Sequence, residues 1–254
     1  MEIIHPEYMK YVYEVNKLRI KIAELITYRD SLKYHITKSL SIDYMLKIGA
    51  LEYKLLQIRN SVEKDKRIIE LVVDLNIPVE QTDSIINKEF LEQDCKLTLM
   101  GEAVNKAISD SQKKILSNQE IIELNSYYMP LVKDFSPEIN LNISDEERLL
   151  FDTIKEKYIL GNISEFKKFE RFKKRELYFD ELDGYKAEKI RLTNLIQNVN
   201  KENISIKSMY PYTEKLELSD ENLFRRRKDA INKELYNQQD ILEKLENKIK
   251  KLKK

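Results

Sequence analysis

An apolar stripe between residues 44 and 72 is the feature that most constrains the fold of this chain. Its apolar side chains stand four and three residues apart, with one gap at Asp65, and they are Tyr44, Ile48, Leu51, Leu55, Ile58, Val62, Ile69 and Val72. A sustained alternation of these two spacings is the seam of a coiled coil. The segment is therefore predicted to be a long helix that packs lengthwise against another helix.

A second helix is predicted immediately before this one. From Glu7 to about Lys38, apolar side chains recur mostly three or four residues apart, which is typical of an amphipathic helix. Ser39 and Ser41 suggest a break after it. Two helices joined by a short break most simply fold back on each other, so we expect an antiparallel hairpin.

The remaining chain also favours helices. The whole chain has 4 Gly and 5 Pro in 254 residues, which leaves few residues for tight turns or sheets. A third helix is expected over residues 79–114, after a stop at Asn76-Ile77-Pro78, because a residue before proline is disfavoured in a helix. Helical patterning resumes over residues 163–200, and a last helix with a heptad seam is predicted from about Ser219, with Gln238 on its seam.

Capping signals divide the central part of the chain into helices. Ser144 and Glu147 have the spacing of a capping box, which predicts a helix start. Gly161 suits the position just after a helix, and Asn162 with Glu165 repeats the capping pattern. The expected order is a helix, a loop of about eight residues, a helix, a corner and a further helix.

The loop of this central part carries a resemblance. Residues 128–158 read YMPLVKDFSPEINLNISDEERLLFDTIKEKY. Their order, YxxLVKxF-SPE-INxxISDEExxLFxxIxxxY, resembles the core of the J-domain of DnaJ-type co-chaperones. That resemblance implies two antiparallel helices around a His-Pro-Asp loop, with a basic preceding helix that docks on a DnaK-type chaperone and stimulates its ATPase.

The resemblance extends over nearly the whole chain. It is similar to a group of clostridial and related bacterial proteins with a late J-domain between coiled-coil helices, on the strength of residues 44–56, 128–158, 161–169 and 206–221. It implies a coiled-coil region over 1–117, a J-domain-like unit over 118–172 and a C-terminal helical arm over 173–254. The predicted fold is all-α and elongated, with coiled-coil hairpins flanking a small J-domain-like unit.

The departures from the J-domain pattern bear on function. Only Pro137 of the His-Pro-Asp motif is present, since Ser136 stands in the place of His and Glu138 in the place of Asp. Lys133 remains in the preceding helix. We therefore expect a degenerate partner-binding loop made of these four residues, unable to stimulate a DnaK-type ATPase. The alternative is an active co-chaperone that uses variant contacts.

A basic and aromatic segment, EFKKFERFKKR at residues 165–175, offers a second class of function. Basic side chains beside aromatic rings can bind nucleic acid through phosphate contacts and stacking. The candidate contact residues are Phe166, Lys167, Lys168, Phe169, Arg171 and Phe172. The alternative, which we favour, is that the Phe rings point into the core and the basic side chains face water.

Other chemistry is not indicated. The formal charge of +1 suggests no bulk attraction to nucleic acid or membranes. His5 and His35 lack carboxylate partners at metal-binding spacing, Cys95 has no basic neighbours of the kind that activate a thiol, and phosphate-binding loops are absent. We expect a cytoplasmic protein that is not an enzyme and has no cofactor, metal or membrane segment.

The expected partners follow from the same patterns. The resemblance implies a protein partner, either a DnaK-type chaperone or a client. A heptad seam can be satisfied within the chain or by a second copy, so a homo-oligomer formed through the coiled coil stays open. The sequence thus predicts a non-catalytic interaction or scaffold protein, with nucleic-acid association as the weaker alternative.

Overall fold

A computed structural model describes residues 6–166, 168–169, 179 and 181–252 of the chain. About 86% of the structure is helical, and no strand occurs in the described ranges, so the predicted all-α class is confirmed. The α-helices are α1 (Pro6–Ser31), α2 (Thr37–Tyr44), α3 (Ala50–Val73), α4 (Val79–Glu89), α5 (Leu91–Ser111), α6 (Asn118–Phe135), α7 (Asp145–Ile159), α8 (Ile163–Phe166), α9 (Leu182–Lys207), α10 (Lys215–Ser219) and α11 (Glu221–Leu252).

The chain forms two compact units, each built from separated segments. The first unit comprises Met1–Ser39 and Ile115–Thr213, and the second comprises Leu40–Lys114 and Glu214–Lys254. Each unit joins an early part of the chain to a late part, and the linear division into 1–117, 118–172 and 173–254 stays a prediction.

The predicted helix break at Ser39 and Ser41 is wrong. Helical residues continue from Pro6 to Val73, with π-helical turns at Leu32–Ile36 and Met45–Gly49. Serine costs a helix only about 0.5 kcal/mol relative to alanine. That cost is smaller than the gain from burying Ile42 and Tyr44 just after the serines.

The first unit is built around α1, which runs parallel to α9. Glu14 on α1 binds Lys189 on α9 at 2.7 Å, and further along the pair Arg29 binds Glu202 at 3.0 Å. Helix α6 also packs on α1, and α7 and α8 pack on α6. The hydrophobic core of the first unit, which these helices share, includes Val15, Ile22, Ile26, Leu124, Tyr128, Val132, Ile139, Phe151, Ile154, Tyr158, Phe166, Leu192 and Val199.

The second unit is built around α3, which runs parallel to α11. Glu52 binds Arg227 at 2.6 Å, and one heptad later Arg59 binds Glu234 at 3.2 Å. The apolar cluster between them contains Tyr44, Ile48, Leu55, Ile231 and Leu235. The predicted seam of α3 therefore faces the last helix of the same chain, whereas the sequence predicted an antiparallel hairpin with the helix before it.

Helices α4 and α5 of the second unit lie beside α3. The predicted stop at Asn76-Ile77-Pro78 is confirmed, with Asn76 in the left-handed conformation at φ 53°. Helix α5 approaches α3 closely at Gly101, where a Cβ atom would stand 2.8 Å from the hydroxyl of Tyr53. Asp94 of α5 accepts hydrogen bonds from the side chains of Asn60 and Lys64, both at 2.7 Å.

Candidate functional site

The segment Ser136-Pro137-Glu138, hereafter the Ser-Pro-Glu segment, lies where α6 ends. Both neighbouring helices begin with the full capping box, in which Ser117 pairs with Glu120 and Ser144 with Glu147. The second of these boxes confirms the start of α7 that the sequence predicted. The box at Ser144 lies at the far end of the loop between α6 and α7 and fixes it there by local hydrogen bonds.

Ser136 is the centre of a tight turn and is fully buried. Its backbone amide donates to the carbonyl of Val132 at 3.0 Å. Its own carbonyl accepts from the amides of Ile139 and Asn140 at 3.1 and 2.9 Å, and its hydroxyl accepts from the amide of Glu138 at 3.3 Å. The polar groups of Ser136 are thus directed into the turn.

Asn140 locks the turn from its far side and is also buried. Its side-chain amide donates to the carbonyls of Lys133 and Ser136 at 3.1 and 3.2 Å. Its side-chain oxygen accepts from Arg19 of α1 at 2.7 Å. The Ser-Pro-Glu segment is therefore bound to α1 through a buried amide, although the two lie more than a hundred residues apart in sequence.

Glu138 makes the strongest contact between the segment and α1. Its carboxylate accepts two parallel hydrogen bonds from Arg29, at 2.7 and 2.8 Å, which is the bidentate geometry preferred by guanidinium groups. Burial alone would raise the pKa of Glu138, but the bonds and charge of Arg29 hold that pKa below its ordinary value. Glu138 is therefore ionised and engaged within the first unit at neutral pH.

Arg29 gathers two further carboxylates. Its Nε donates to Asp30 at 3.1 Å, and its Nη1 donates to Glu202 of α9 at 3.0 Å. Burial alone would lower the pKa of Arg29, but Glu138, with Asp30 and Glu202, keeps that pKa above its ordinary value. Arg29 thus ties the Ser-Pro-Glu segment, α1 and α9 together.

Helix α9 holds the backbone of the segment directly. Arg191 donates to the carbonyls of Glu138 and Ile139, at 3.2 and 2.5 Å. The same guanidinium is fixed by Glu188, which accepts from it at two positions 2.7 Å away. Arg29 and Arg191, from two different helices, therefore bind three acceptor groups of the consecutive residues Glu138 and Ile139.

A buried group of polar aromatic side chains lies beside Arg29. The hydroxyl of Tyr128 donates to Asp30 at 2.9 Å, and its ring stacks on that of Tyr158 with centroids 3.9 Å apart. Burial raises the pKa of both tyrosines above the ordinary value, and the charge of Asp30 adds to the shift. His35 packs edge-on against Tyr158, and burial lowers its pKa.

The four predicted partner-binding residues thus lie close together, but most of their side chains are directed into the first unit. Ser136 is buried, Pro137 and Glu138 are half-buried, and Lys133 is half-buried with its ammonium group 3.2 Å from Asp134. Such an arrangement can hold three helices in register. The four residues place no nucleophile next to a base.

The members of the predicted basic and aromatic face that the structure describes do not share one surface, because some are buried and one is exposed. Phe166 is buried and packs edge-on against Tyr128 and Phe169, and Phe169 is half-buried against the same core. Lys168 is exposed and binds Glu165 at 2.7 Å. The other three members, Lys167, Arg171 and Phe172, lie outside the described residues, as does His5.

The sequence interpretation missed the residues that hold the loop. Arg19, Arg29 and Arg191 lie in helices far from residues 136–138, and no local motif marks them. One signal was available, since the buried stripe of α1 places Val15, Arg19 and Ile22 at spacings of four and three. An arginine inside an apolar stripe needs a buried partner, and this one finds Asn140.

The described ranges contain no cluster of three His, Cys, Asp or Glu side chains that could hold a metal ion. Cys95 is exposed. None of the helices in these ranges combines the length and apolar character required to cross a membrane. Comparison with protein-family models, with curated proteins and with solved structures finds no match to the chain.

Proposed function

We propose that this chain is a non-catalytic protein-interaction or scaffold protein, built on the plan of DnaJ-type co-chaperones, that does not activate a DnaK-type ATPase. In this proposal the Ser-Pro-Glu segment is a structural corner. The observation that carries the proposal is the complete burial of Ser136 beside the bidentate ion pair of Glu138 with Arg29.

The arrangement of α6 and α7 supports the J-domain-like part of the proposal. Asn125 on α6 accepts a hydrogen bond from Tyr158 on α7 at 2.7 Å, and the rings of Tyr128 and Phe151 stack. Two helices joined by a short loop and matched in this order run antiparallel. That is the helix pair expected on either side of a His-Pro-Asp loop.

The pairing of α3 with α11 supports the coiled-coil part. The two helices carry the predicted heptad seams, and their apolar side chains meet in one cluster. Gln238, on the seam of α11, donates to Glu234 at 2.9 Å, and Glu234 also binds Arg59 on α3. We propose that this pair is an intramolecular, parallel coiled coil that supports the interaction surfaces of the protein.

Three features argue against activation of a chaperone ATPase. A docking loop must offer its polar groups to the partner, and those of Ser136 are directed inward. The carboxylate of Glu138 is already paired. Releasing Glu138 from Arg29 would break a bidentate ion pair at a half-buried carboxylate, which costs about 1 kcal/mol.

The direct test is single-turnover ATP hydrolysis by the DnaK-type chaperone of the same organism. The full chain is titrated into the chaperone–ATP complex, and an active J-domain co-chaperone provides the positive control. The proposal predicts that the hydrolysis rate stays at its basal value at every concentration. A saturable rise in the rate would contradict it.

The alternative, an active co-chaperone with variant contacts, makes a separate prediction. Replacing Ser136→His and Glu138→Asp together should then raise the stimulation from a measurable baseline. On the structural proposal the baseline is zero. The double replacement should instead destabilise the first unit, because an imidazole does not fit a fully buried serine position and an aspartate is too short to keep both bonds to Arg29.

The proposed partner is a protein, either a DnaK-type chaperone bound without activation or a client, and the proposed location is the cytoplasm. Affinity capture from the native cytoplasm identifies it. Matched bait variants are Lys133→Ala, which alters a half-buried residue before the Ser-Pro-Glu segment, and Lys168→Ala, which alters an exposed one. The proposal predicts partners that are retained by the wild-type chain.

A further inference from the structure

His35 is a buried imidazole in the first unit. It lies in the π-helical turn Leu32–Ile36, and its side chain and backbone together are only 9% exposed. A π-helical turn places one extra residue in a helix, and such turns are frequent at functional sites. The neighbouring residues Ser31 and Leu32 are buried as well, so this side of the helix faces protein and not solvent.

The two ring nitrogens of His35 have different surroundings. The imidazole donates a hydrogen bond to the backbone of Tyr158, in the last turn of α7. Its Nε2 atom is buried and meets no hydrogen-bond partner among the described residues. A neutral imidazole fits this arrangement, because it has one N–H group and that group has an acceptor. An imidazolium has two N–H groups, and the second would be buried without an acceptor, which is unfavourable.

The charged groups on the helix that carries His35 do not favour an imidazolium. Burial lowers the pKa of His35, and the charge of Lys38 lowers it further. The buried carboxylate of Asp30 is already bound by Arg29 at 3.1 Å and by the hydroxyl of Tyr128 at 2.9 Å. A protonated His35 would therefore have a cation beside it, while the buried carboxylate of the same helix is occupied.

The groups on the other helices around the turn do not offset this charge. On α9, which packs on the turn, Glu202 is engaged in its ion pair with α1, and Lys207 lies over an aromatic ring. On α7, the ring of Tyr158 packs edge-on against the imidazole, with centroids 4.9 Å apart, and its hydroxyl donates to Asn125 of α6. An aromatic ring can attract a cation, but it gives the second N–H group no strong acceptor.

Helices α7 and α8 form a layer that is held mainly by α6 and by the contact between the two helices themselves. Helix α1, in contrast, packs on both α6 and α9. The contact of His35 with Tyr158 attaches the end of this α7–α8 layer to the helix that carries His35. Elements with fewer contacts open first, so the layer can separate while α1, α6 and α9 stay together. Its separation exposes the buried rings of Tyr128, Phe151 and Phe166.

We propose that His35 is a pH-sensitive latch, whose neutral imidazole holds the α7–α8 layer closed and whose protonation releases that layer from the rest of the first unit. In the open state the imidazole reaches water, where it binds a proton at about pH 6.5. The closed state binds that proton less readily, so falling pH shifts the equilibrium toward the open state. The latch is independent of the proposed function, because it concerns the closure of the unit and not a chaperone ATPase.

Amide hydrogen exchange of the full chain between about pH 8 and about pH 5 tests the latch. Protection factors are corrected for the pH dependence of the exchange chemistry and compared between segments. Protection of residues 151–162 should fall with pH, by up to about tenfold for each unit below about 6.5, because opening takes up one proton. Protection of α3 and α11 in the second unit should stay constant. Constant protection of residues 151–162 would overturn the proposal, and so would an equal loss in α1 and α9, which would show that the whole unit opens.

The two histidines of the chain provide a matched pair of variants. His35→Gln removes the imidazole of the latch, and His5→Gln removes the other one. His35→Gln should make the protection of residues 151–162 independent of pH over this range, whereas His5→Gln should keep the full dependence. A pH dependence that survives in His35→Gln, or that disappears in His5→Gln, would overturn the assignment of the latch to His35.

A direct titration of His35 does not depend on the folding of a His35 variant. In His5→Gln the imidazole of His35 is the only one in the chain, so its ring-proton signal in a nuclear magnetic resonance spectrum reports its charge. The proposal predicts a titration midpoint below about pH 6.5. A midpoint at or above about pH 6.5 would overturn the latch, because the closed state would then bind the proton as readily as the open state.

Discussion

The ion pair between Arg29 and Glu138 can be tested by a double-mutant cycle. The cycle compares the wild-type chain with Arg29→Met, Glu138→Gln and the double variant. Methionine keeps much of the length of the arginine stem, and glutamine keeps the shape of glutamate, so each change removes mainly a charge. The quantity measured is the free energy of unfolding of the first unit.

The expected magnitudes follow from burial. The side chain of Arg29 is 12% exposed, and it contacts Asp30, which is only 2% exposed. Removing the cation from a buried carboxylate costs about 3–5 kcal/mol, and the hydrogen bond from Tyr128 to Asp30 favours the lower end, about 3 kcal/mol. Glu138 is 38% exposed, so its replacement should cost only about 1 kcal/mol. We expect a coupling energy of about 1–1.5 kcal/mol.

The assay is urea unfolding followed by far-ultraviolet circular dichroism. Because the chain has two compact units, the transitions are fitted separately, and the cycle is evaluated on the one that shifts. The control cycle uses Arg59→Met and Glu234→Gln, whose side chains are 51% and 34% exposed. An exposed pair of this kind should couple by no more than about 0.5 kcal/mol. A coupling between Arg29 and Glu138 no larger than that of the control pair would refute the structural role of Glu138.

Three further predictions concern other positions. Burial lowers the pKa of His35, so as the pH falls the unfolded chain takes up a proton at this residue before the folded chain does. The stability that neutral His35 contributes is therefore present above pH 6.5 and is lost as the pH falls through the folded pKa. His35→Gln should flatten this pH dependence of the urea midpoint, and an unchanged slope would contradict the assignment. Gly161→Ala should destabilise the first unit by about 1–2 kcal/mol, since Gly161 has φ 68° and a Cβ would stand 2.9 Å from Leu116; an unchanged thermal midpoint would contradict this. Arg227→Met removes the cation that binds both Glu52 and Glu217, each at 2.6 Å. It should lower the free energy of unfolding of the second unit by about 2 kcal/mol and leave the transition of the first unit unchanged. A shift of the first unit's transition would contradict the division of the chain into two units.

Local structure could be predicted wherever one or two residues determine it. Ser144 and Gly161 have roles set by their immediate neighbours, in a helix cap and in a left-handed turn, and both predictions were confirmed. Asn76 and Pro78 ended α3 for the same reason. Ser39 and Ser41 were misleading because serine disfavours a helix only weakly, and the burial of neighbouring apolar side chains outweighs that preference.

The helices and side chains that pair with each other over long sequence distances could not be predicted in the same way. The heptad stripe of α3 shows that an apolar partner is required, but any helix with a similar stripe satisfies it, and the one chosen starts at Glu221. The pairing of Arg29 with Glu138 joins residues that are 109 positions apart, and neither residue stands out among the many charged ones. The resemblance of residues 128–158 to a J-domain drew attention to this loop, but it gave no indication that the loop is clamped by α1 and α9.

Amide hydrogen exchange of residues 136–140 in the folded protein tests the central claim most directly. A structural corner has amides bonded within the turn, as those of Ser136, Ile139 and Asn140 are, whereas a loop free to dock exchanges its amides quickly. We predict protection of these three amides close to that of Val132 in the core, and a marked loss of it in Arg29→Met. Exchange in the wild-type chain at the rate of an unstructured peptide would contradict the claim that the Ser-Pro-Glu segment is structural.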